Sequence, residues 1–335
     1  MSSTLIGIAT LIAASVTNAS FTMPMKYARK WAWENTWLAW TAFALVALPV
    51  AVSLVTVPNL LTVYRTAPRV TILEVAGFGA GWGVAQVFFG LAVDMIGITL
   101  AFSVVLGTSA AAGSLIPMLV LEREHLDTKT RVAVLGAVAF VLLGVMLCAF
   151  AGKLREKPSA QSSRQRTSKG LLLAIVCGLC ASFMNFAVAF GTPLVDAARS
   201  FGASGSNAMN AVWLPLMLAG AVPNVLYCAW LIKRKHSGNK YRTAPSHWVL
   251  AAIMAVFWFG STLLYGLAAG QLGEWGPILG WPLFMSLIVI TATMLGILAG
   301  EWKGCPPIAV RFQWIGVAVL VLAVFILAGS TRYVR

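Results

Sequence analysis

Charged residues are scarce in this chain. Only 10% of its 335 residues are Asp, Glu, Lys or Arg, whereas 59% are hydrophobic. A soluble globular domain carries about 25% charged residues. Because no soluble fold of this length buries so much apolar surface, the composition excludes a soluble protein and predicts that lipid solvates the chain.

Acidic residues are the scarcest charged class, with 10 Asp and Glu against 24 Lys and Arg and a net charge of +14. The basic residues lie in short loops between apolar runs and form no basic face mixed with aromatic residues. This distribution is typical of membrane proteins with cytoplasmic basic loops, and it argues against nucleic-acid binding.

Catalytic and metal-binding signatures are also missing. The five cysteines and three histidines are scattered, and the pair Cys177 and Cys180 lies in an apolar run with no second pair, so packing is favoured over a metal or redox role. The chain has no P-loop, H-E-x-x-H or G-x-S-x-G motif. We therefore predict neither an enzyme nor an ATP-driven pump, with no cofactor and no metal, and with ion gradients or facilitation as the driving force.

Long apolar runs dominate what is present. A spanning helix needs about 20 mostly apolar residues, and the N-terminus lacks the basic start of a signal peptide, so the first run is interpreted as a retained helix. Ten runs meet the length requirement: 4–25, 35–57, 72–92, 98–120, 131–152, 170–192, 208–232, 247–269, 277–300 and 308–330. The predicted fold class is an all-α polytopic membrane protein.

One polar linker divides the runs five and five. Residues 153–169 are rich in Ser, Gln and basic side chains, which predicts a first five-helix repeat at 1–152, a cytoplasmic linker, and a second repeat at 170–335. The loops on the linker's side of the membrane hold twice as many Lys and Arg residues as the other side. The positive-inside rule then predicts an inner-membrane protein with both termini in the periplasm.

The two halves carry matching motifs in the same order. A-S-x-x-N occurs at 14–18 and at 181–185, and Trp82 with Gly90-Leu91-Ala92 matches Trp258 with Gly266-Leu267-Ala268. Glu122 and Glu301 follow at an offset of 179 residues. Because five helices is an odd number, the second copy enters the membrane from the opposite side. The pattern thus predicts a 5+5 inverted repeat, whose substrate sites tend to lie near the midplane between the repeats.

Two helix faces and two amides form the candidate substrate site. Polar side chains within a span are costly and usually face the bundle interior, and aromatic rings with amide partners suit an uncharged polyhydroxylated solute. The alternative is that these groups only pack or bond across helices. The candidates are Asn18, Trp82, Gln86, Phe89, Asn185, Trp258, Thr262 and Tyr265.

Proton coupling requires a carboxyl group that is both buried and wetted. The candidates Glu34, Asp94, Glu274 and Glu301 all lie within a turn or two of a membrane end. A solvated carboxylate, or one paired with Lys or Arg, is the alternative interpretation for each of them.

Several short motifs are spread over nearly the whole chain. They are Pro24-Met25-Lys26, Lys30-Trp31-Ala32-Trp33-Glu34, Trp37, Gly79-Ala80-Gly81-Trp82-Gly83, Phe89-Gly90-Leu91, Lys169-Gly170-Leu171 and Gly300-Glu301-Trp302. These motifs resemble those of the bacterial L-rhamnose–proton symporter family, a branch of the drug/metabolite transporter superfamily. The resemblance implies the drug/metabolite transporter fold and uptake of a deoxy sugar with a proton, with another sugar or small polar metabolite as alternatives.

Three functions compete on this basis. The first is proton-coupled import of a small uncharged sugar by alternating access. The second is export of amphipathic metabolites or drugs, which an aromatic-rich lining permits. The third is a membrane sensor or scaffold, which leaves the inverted repeat unexplained. The sequence predicts the bilayer, a sugar and the proton as partners, and it carries no signal for an oligomeric state.

Overall fold

The computed structural model describes residues 3–96, 98–121, 128–155, 164–205, 207–273, 276–300 and 302–330. All regular structure in these ranges is helical, and ten of the helices there are long and apolar enough to cross a membrane. The predicted all-α class and the ten spans are therefore confirmed, with ends within a few residues of the predicted runs.

The ten spanning helices are named α1 to α10 in chain order. Helices α1 to α5 are Ser3–Ser20, Trp33–Thr56, Arg69–Ile96, Ile98–Leu121 and Thr128–Arg155. Helices α6 to α10 are Ser168–Phe190, Asn210–Lys235, Ser246–Gln271, Gly276–Leu298 and Pro307–Ser330. Short helices at Leu60–Thr66, Thr192–Ser200 and Lys240–Thr243 lie in the connections.

Two helices are interrupted near mid-span. Helix α2 contains a π-helical turn at Ala42–Ala47, which ends two residues before Pro49. Pro49 has no N–H to donate to the preceding turn. Helix α6 breaks at Ser182, so that Phe183–Phe190 forms a separate segment. Such interruptions occur frequently at functional sites because they redirect side chains within a helix.

The helices pair in a symmetric pattern. Helix α1 packs on α8 and α9, and α6 packs correspondingly on α3 and α4. Helix α2 contacts α8, α7 contacts α3, and the pairs α2–α7, α4–α9 and α5–α10 each join equivalent helices. Exchanging each helix of one half for its counterpart preserves these pairs, which is consistent with two equivalent halves.

Glycines allow α3 and α7 to approach each other closely. A Cβ atom at Gly79 or Gly83 would collide with the backbone carbonyl of Leu216 or of Gly220 on α7. A Cβ atom at Gly220 would in turn lie 3.0 Å from the indole ring of Trp82. Small residues at a helix crossing allow such backbone contact in membranes. The Gly79-x-Gly-Trp-Gly83 motif therefore places the Trp82 ring against α7.

The outer surface of the bundle is apolar. Large hydrophobic side chains on different helices remain exposed, among them Leu54 (63%), Val55 (85%) and Phe325 (71%). Exposed apolar surface of this extent is unfavourable in water and favourable in lipid. Together with the ten apolar helices, this surface identifies the chain as a multi-pass membrane protein.

Candidate functional site

One face of α8 connects the predicted site residues. Trp258, Ser261 and Tyr265 are spaced i, i+3 and i+7, so they lie on the same side of the helix. All three are buried, and each contacts a different neighbouring helix. Helix α8 therefore gathers predicted residues from α1, α3 and α6 along about 10 Å of its length.

Trp82 and Trp258, predicted from the repeat, stack on each other. Their ring centroids are 5.3 Å apart with an interplanar angle of 28°. Trp40 of α2 meets the Trp258 ring edge-on at 5.2 Å. An offset stack with an edge-on third ring is a favourable aromatic geometry. Three helices thus contribute to one apolar surface.

The stacked rings continue along α2 toward the membrane end. Trp37 lies 4.5 Å from Trp40, and Trp33 stacks on Trp37 at 5.3 Å. The indole N–H of Trp37 donates to Asn224 Oδ1 of α7 at 3.0 Å. We call the five indoles of Trp33, Trp37, Trp40, Trp258 and Trp82 the aromatic column.

Asn18 retains hydrogen-bonding capacity. Its amide Nδ2 donates to Ser261 Oγ at 2.8 Å, and that hydroxyl donates to the Trp258 carbonyl at 2.7 Å. Asn18 is half-buried, and its Oδ1 accepts no hydrogen bond from the described residues. Within that part of the chain, the amide can still accept a bond from a solute hydroxyl.

Asn185, at the matching position in the second half, is fully occupied. Its Nδ2 donates to the carbonyls of Gly113 at 2.6 Å and Pro277 at 2.8 Å, and its Oδ1 accepts from the Tyr265 hydroxyl. Asn185 is completely buried and Tyr265 nearly so. We call Asn185, Tyr265 and these two carbonyls the Asn185 cluster. The cluster ties α4, α6, α8 and α9 together.

The remaining predicted substrate residues are placed differently. The Thr262 hydroxyl donates to the Trp258 carbonyl of its own helix at 3.2 Å. Gln86 is half-buried and makes no hydrogen bond to another described residue. Phe89 packs in a second hydrophobic cluster with Ala85 and Cys177, apart from the Trp82–Trp258 stack. The α3 face is therefore divided between two environments.

A cavity of about 540 Å³ opens at the end of the bundle where α6 and α8 finish. Ala189 and Ala269, each one turn beyond Asn185 and Tyr265, line it together with Pro277, whose carbonyl belongs to the Asn185 cluster. The polar side chains of Thr192 and Arg199 also contribute to its lining. The Asn185 cluster consequently lies about one helical turn from the cavity.

At the opposite end of the bundle, Glu34 is completely buried at the start of α2. Its Oε2 lies 3.1 Å from Lys235 Nζ at the end of α7, and its Oε1 accepts from the Ser237 hydroxyl at 2.9 Å. We call Glu34, Lys235 and Ser237 the Glu34 cluster. Of the four predicted coupling acids, Glu34 is the one whose side chain the structure describes. The side chain of Asp94 and the residues Glu274 and Glu301 lie outside the described residues.

Aromatic and amide groups surround the Glu34 cluster. Asn35 donates from Nδ2 to the Ser237 carbonyl at 3.1 Å, and its own carbonyl accepts from the Tyr241 hydroxyl. Burial raises the pKa of Tyr241, so this hydroxyl remains protonated and available as a donor at neutral pH. The Trp31 ring packs among Tyr241, His247 and Trp248. The loop after α1 is thus fastened to the loop after α7.

Three groups that the sequence reasoning missed take part in these contacts. Ser261, the partner of Asn18, lies three residues after Trp258, so its helix spacing could have identified it. Lys235 carries no such local signal, since its partner Glu34 lies on another helix. Trp40 follows Trp33 and Trp37 by seven and three residues, so the same helix spacing could have identified it.

Comparisons with known proteins agree with the family resemblance of the sequence motifs. The family described as "L-rhamnose-proton symport protein (RhaT)" matches residues 1–331. L-rhamnose-proton symporters of Yersinia pestis (strain Pestoides F) and Yersinia pseudotuberculosis (serotype O:3, strain YPIII) are 26% identical over 330 residues, which cover 95% of this chain and 96% of theirs. One solved crystal structure is similar in fold, with a TM-score of 0.54 and 17% identity over 97% of this chain and 94% of that chain.

Proposed function

Because the chain belongs to the family of L-rhamnose-proton symport proteins, we propose that it imports L-rhamnose, or a related deoxy sugar, together with a proton. The observation that carries this proposal is the family match, which extends over nearly the whole chain rather than over one motif. The family match does not favour export of amphipathic metabolites.

The sugar site that we propose lies along the α8 face. The stack of Trp82 and Trp258 offers apolar ring surface to the C–H face of a sugar. The half-buried amide of Asn18 supplies a donor and an acceptor for hydroxyl groups. Gln86, Thr262 and Phe89 are proposed as flanking contacts, whereas Asn185 and Tyr265 support the site from the cavity side.

The coupling residue that we propose is Glu34. A proton on this carboxyl group neutralises it and weakens its attraction to Lys235 of α7. Cys228 of α7 and Tyr241 are the further titratable groups that interact electrostatically with Glu34. Because the pair joins the two halves, proton binding and release at Glu34 would change the stability of one closed end. Asp94, Glu274 and Glu301 remain further proposed candidates.

The membrane arrangement that we propose is the one expected from the loop charges. Two inverted halves at 1–152 and 170–335, joined by a cytoplasmic linker, lie in the bacterial inner membrane with both termini in the periplasm. The symmetric helix pairing supports the two equivalent halves of this arrangement. The proton gradient is the driving force, since one charge moved through 100 mV is worth about 2.3 kcal/mol, enough for tens-fold accumulation.

Purified protein in proteoliposomes tests the function. A pH gradient, acidic on the side of sugar entry, is expected to drive accumulation of labelled L-rhamnose, and a proton uncoupler is expected to abolish it. A panel of other deoxy sugars, run alongside, identifies the preferred solute. Absence of gradient-driven uptake and of a thermal shift with every deoxy sugar would overturn the proposal. Drug resistance conferred on a pump-deficient host would instead favour export.

A further inference from the structure

The buried indole N–H of Trp40 has no hydrogen-bond partner. Trp40 is 1% exposed, and its Nε1 is one of six buried side-chain polar atoms without a partner among the described residues. A buried tryptophan N–H usually finds an acceptor, because leaving a buried donor unpaired is energetically costly. The neighbouring indole of Trp37 follows this rule through Asn224. An unpaired donor at Trp40 therefore requires an explanation.

Trp40 also lies against the proposed sugar site. Its ring meets the Trp258 ring edge-on at 5.2 Å, and Trp258 stacks on Trp82. A sugar that stacks its apolar face on an indole directs its hydroxyl groups past the edges of the ring. Hydrogen-bond donors on neighbouring rings can then donate to those hydroxyl groups. Trp40 is the neighbouring ring of the aromatic column that packs edge-on against this stack.

The backbone beside Trp40 is irregular. The next residue, Thr41, is completely buried with an unpaired hydroxyl, and the π-helical turn Ala42–Ala47 begins directly after it. A π-helical turn locally shifts the register of a helix, and such turns are frequent at functional sites. Trp40 therefore lies directly before an irregular part of α2.

We infer that Trp40 is a specificity-determining residue, whose indole N–H donates a hydrogen bond to one hydroxyl group of the transported sugar. The inference rests on the proposed function and extends it, because neither the repeat nor the family motifs select this residue. In the conformation described here the donor is buried and unpaired. Bound sugar supplies the missing acceptor.

The variant Trp40→Phe tests this inference by removing the N–H while keeping an aromatic ring. We expect sugar affinity to fall about 3- to 10-fold, the usual effect of one hydrogen bond. The matched control is Trp213→Phe on α7. Trp213 is equally buried and its Nε1 is equally unpaired, but none of the observed ring contacts joins it to the Trp82–Trp258 stack. Affinity of the control is expected to stay within about 2-fold of wild type.

Mono-deoxy analogues of L-rhamnose separate a direct contact from a packing effect. Wild type is expected to bind one analogue 3- to 10-fold more weakly than the parent sugar, a loss of about one hydrogen bond. Trp40→Phe is expected to bind that analogue and the parent equally, since the contact is already absent. Equal losses for every analogue, or unchanged affinity in Trp40→Phe, would overturn the inference.

An isosteric replacement distinguishes loss of the N–H group from misfolding of the variant. Benzothienylalanine at position 40 keeps the shape of the indole and replaces its N–H with sulfur, so it is expected to reproduce the affinity loss with the thermal stability unchanged. If this variant binds as wild type does, the inference is wrong while the proposed function stands. If wild type itself binds no deoxy sugar, both are wrong.

Discussion

The two ends of the helix bundle differ in the contacts between their helices. At one end the fully buried Glu34 pairs with Lys235, and Trp31 packs among aromatic rings, so that the loops after α1 and α7 are fastened together. At the other end lies a cavity of about 540 Å³, lined by residues of α6, α8, α9 and the connection between α6 and α7, and it reaches to within about a turn of the Asn185 cluster. We call these the Glu34 end and the cavity end.

The difference indicates how the two ends could alternate. An ion pair at a helix end can be weakened by a single proton, whereas the carbonyls and amide of the Asn185 cluster do not titrate in the physiological range. The contact that we propose as proton-sensitive therefore lies at the Glu34 end. With the proposed orientation, the cavity end faces the periplasm and the Glu34 end faces the cytoplasm.

The largest expected effect comes from Glu34→Gln, which keeps the size of the side chain and removes its ability to carry a proton. We expect gradient-driven sugar accumulation in proteoliposomes to fall more than about 10-fold, because accumulation depends on coupling to the proton gradient. Exchange of labelled for unlabelled sugar, which needs no net proton movement, is expected to persist.

The control for that variant is Glu74→Gln, since Glu74 is an exposed carboxyl group on α3. Sugar accumulation by the Glu74→Gln variant is expected to match that of the wild type. Undiminished accumulation in Glu34→Gln would remove Glu34 from the coupling mechanism, and the Glu34 end would then be a purely structural closure.

The next largest effect is expected at the cavity end. Asn185→Ala leaves the Tyr265 hydroxyl and the carbonyls of Gly113 and Pro277 buried without their shared partner. We expect a loss of about 2 kcal/mol or more in the free energy of unfolding and a fall of several degrees in Tm. Thermal unfolding of purified protein followed by tryptophan fluorescence measures both quantities.

Asn18→Ala is the matched comparison for that prediction, because Asn18 occupies the equivalent position and makes one hydrogen bond, to Ser261. Its stability loss is expected to be smaller, about 1 kcal/mol, and its loss of sugar affinity larger than that of Asn185→Ala. Equal stability losses in the two variants would contradict the assignment of Asn185 to support and Asn18 to binding.

The smallest effect is expected for Lys235→Ala. The Lys235 side chain is 54% exposed, so water screens its attraction to Glu34. We expect the rate of sugar uptake to change about 2- to 5-fold in this variant. The control is Lys233→Ala, at an exposed position on the same helix, for which we expect an unchanged uptake rate. If the two lysine variants behave alike, the ion pair does not contribute to closing this end.

Much of the fold could be predicted from the sequence because each spanning helix is a local property. The bilayer requires about 20 apolar residues per span, and the ten runs satisfy that requirement without reference to one another. The stacking of Trp82 on Trp258 could also have been predicted, because the two residues occupy equivalent positions in the repeat. The π-helical turn at Ala42–Ala47 was not predicted, since apolar periodicity does not distinguish it from an α-helix.

The partners of the predicted polar residues could not be predicted. Asn18 and Asn185 share the A-S-x-x-N motif, yet one makes a single bond to Ser261 and the other binds two backbone carbonyls and Tyr265. Backbone carbonyls have no sequence signature. Glu34 is 201 residues from Lys235, so only the packing of α2 against α7 brings the two charges together.

Cysteine accessibility tests most directly whether the cavity end is open while the Glu34 end is closed. Thr192→Cys at the cavity and Ser237→Cys in the Glu34 cluster are made singly in a background lacking the five native cysteines. Each is then treated with a membrane-impermeant maleimide from either side of the membrane. The account predicts rapid labelling at position 192 from the periplasmic side and protection at position 237 from both sides. Rapid labelling at position 237 with protection at position 192 would contradict it.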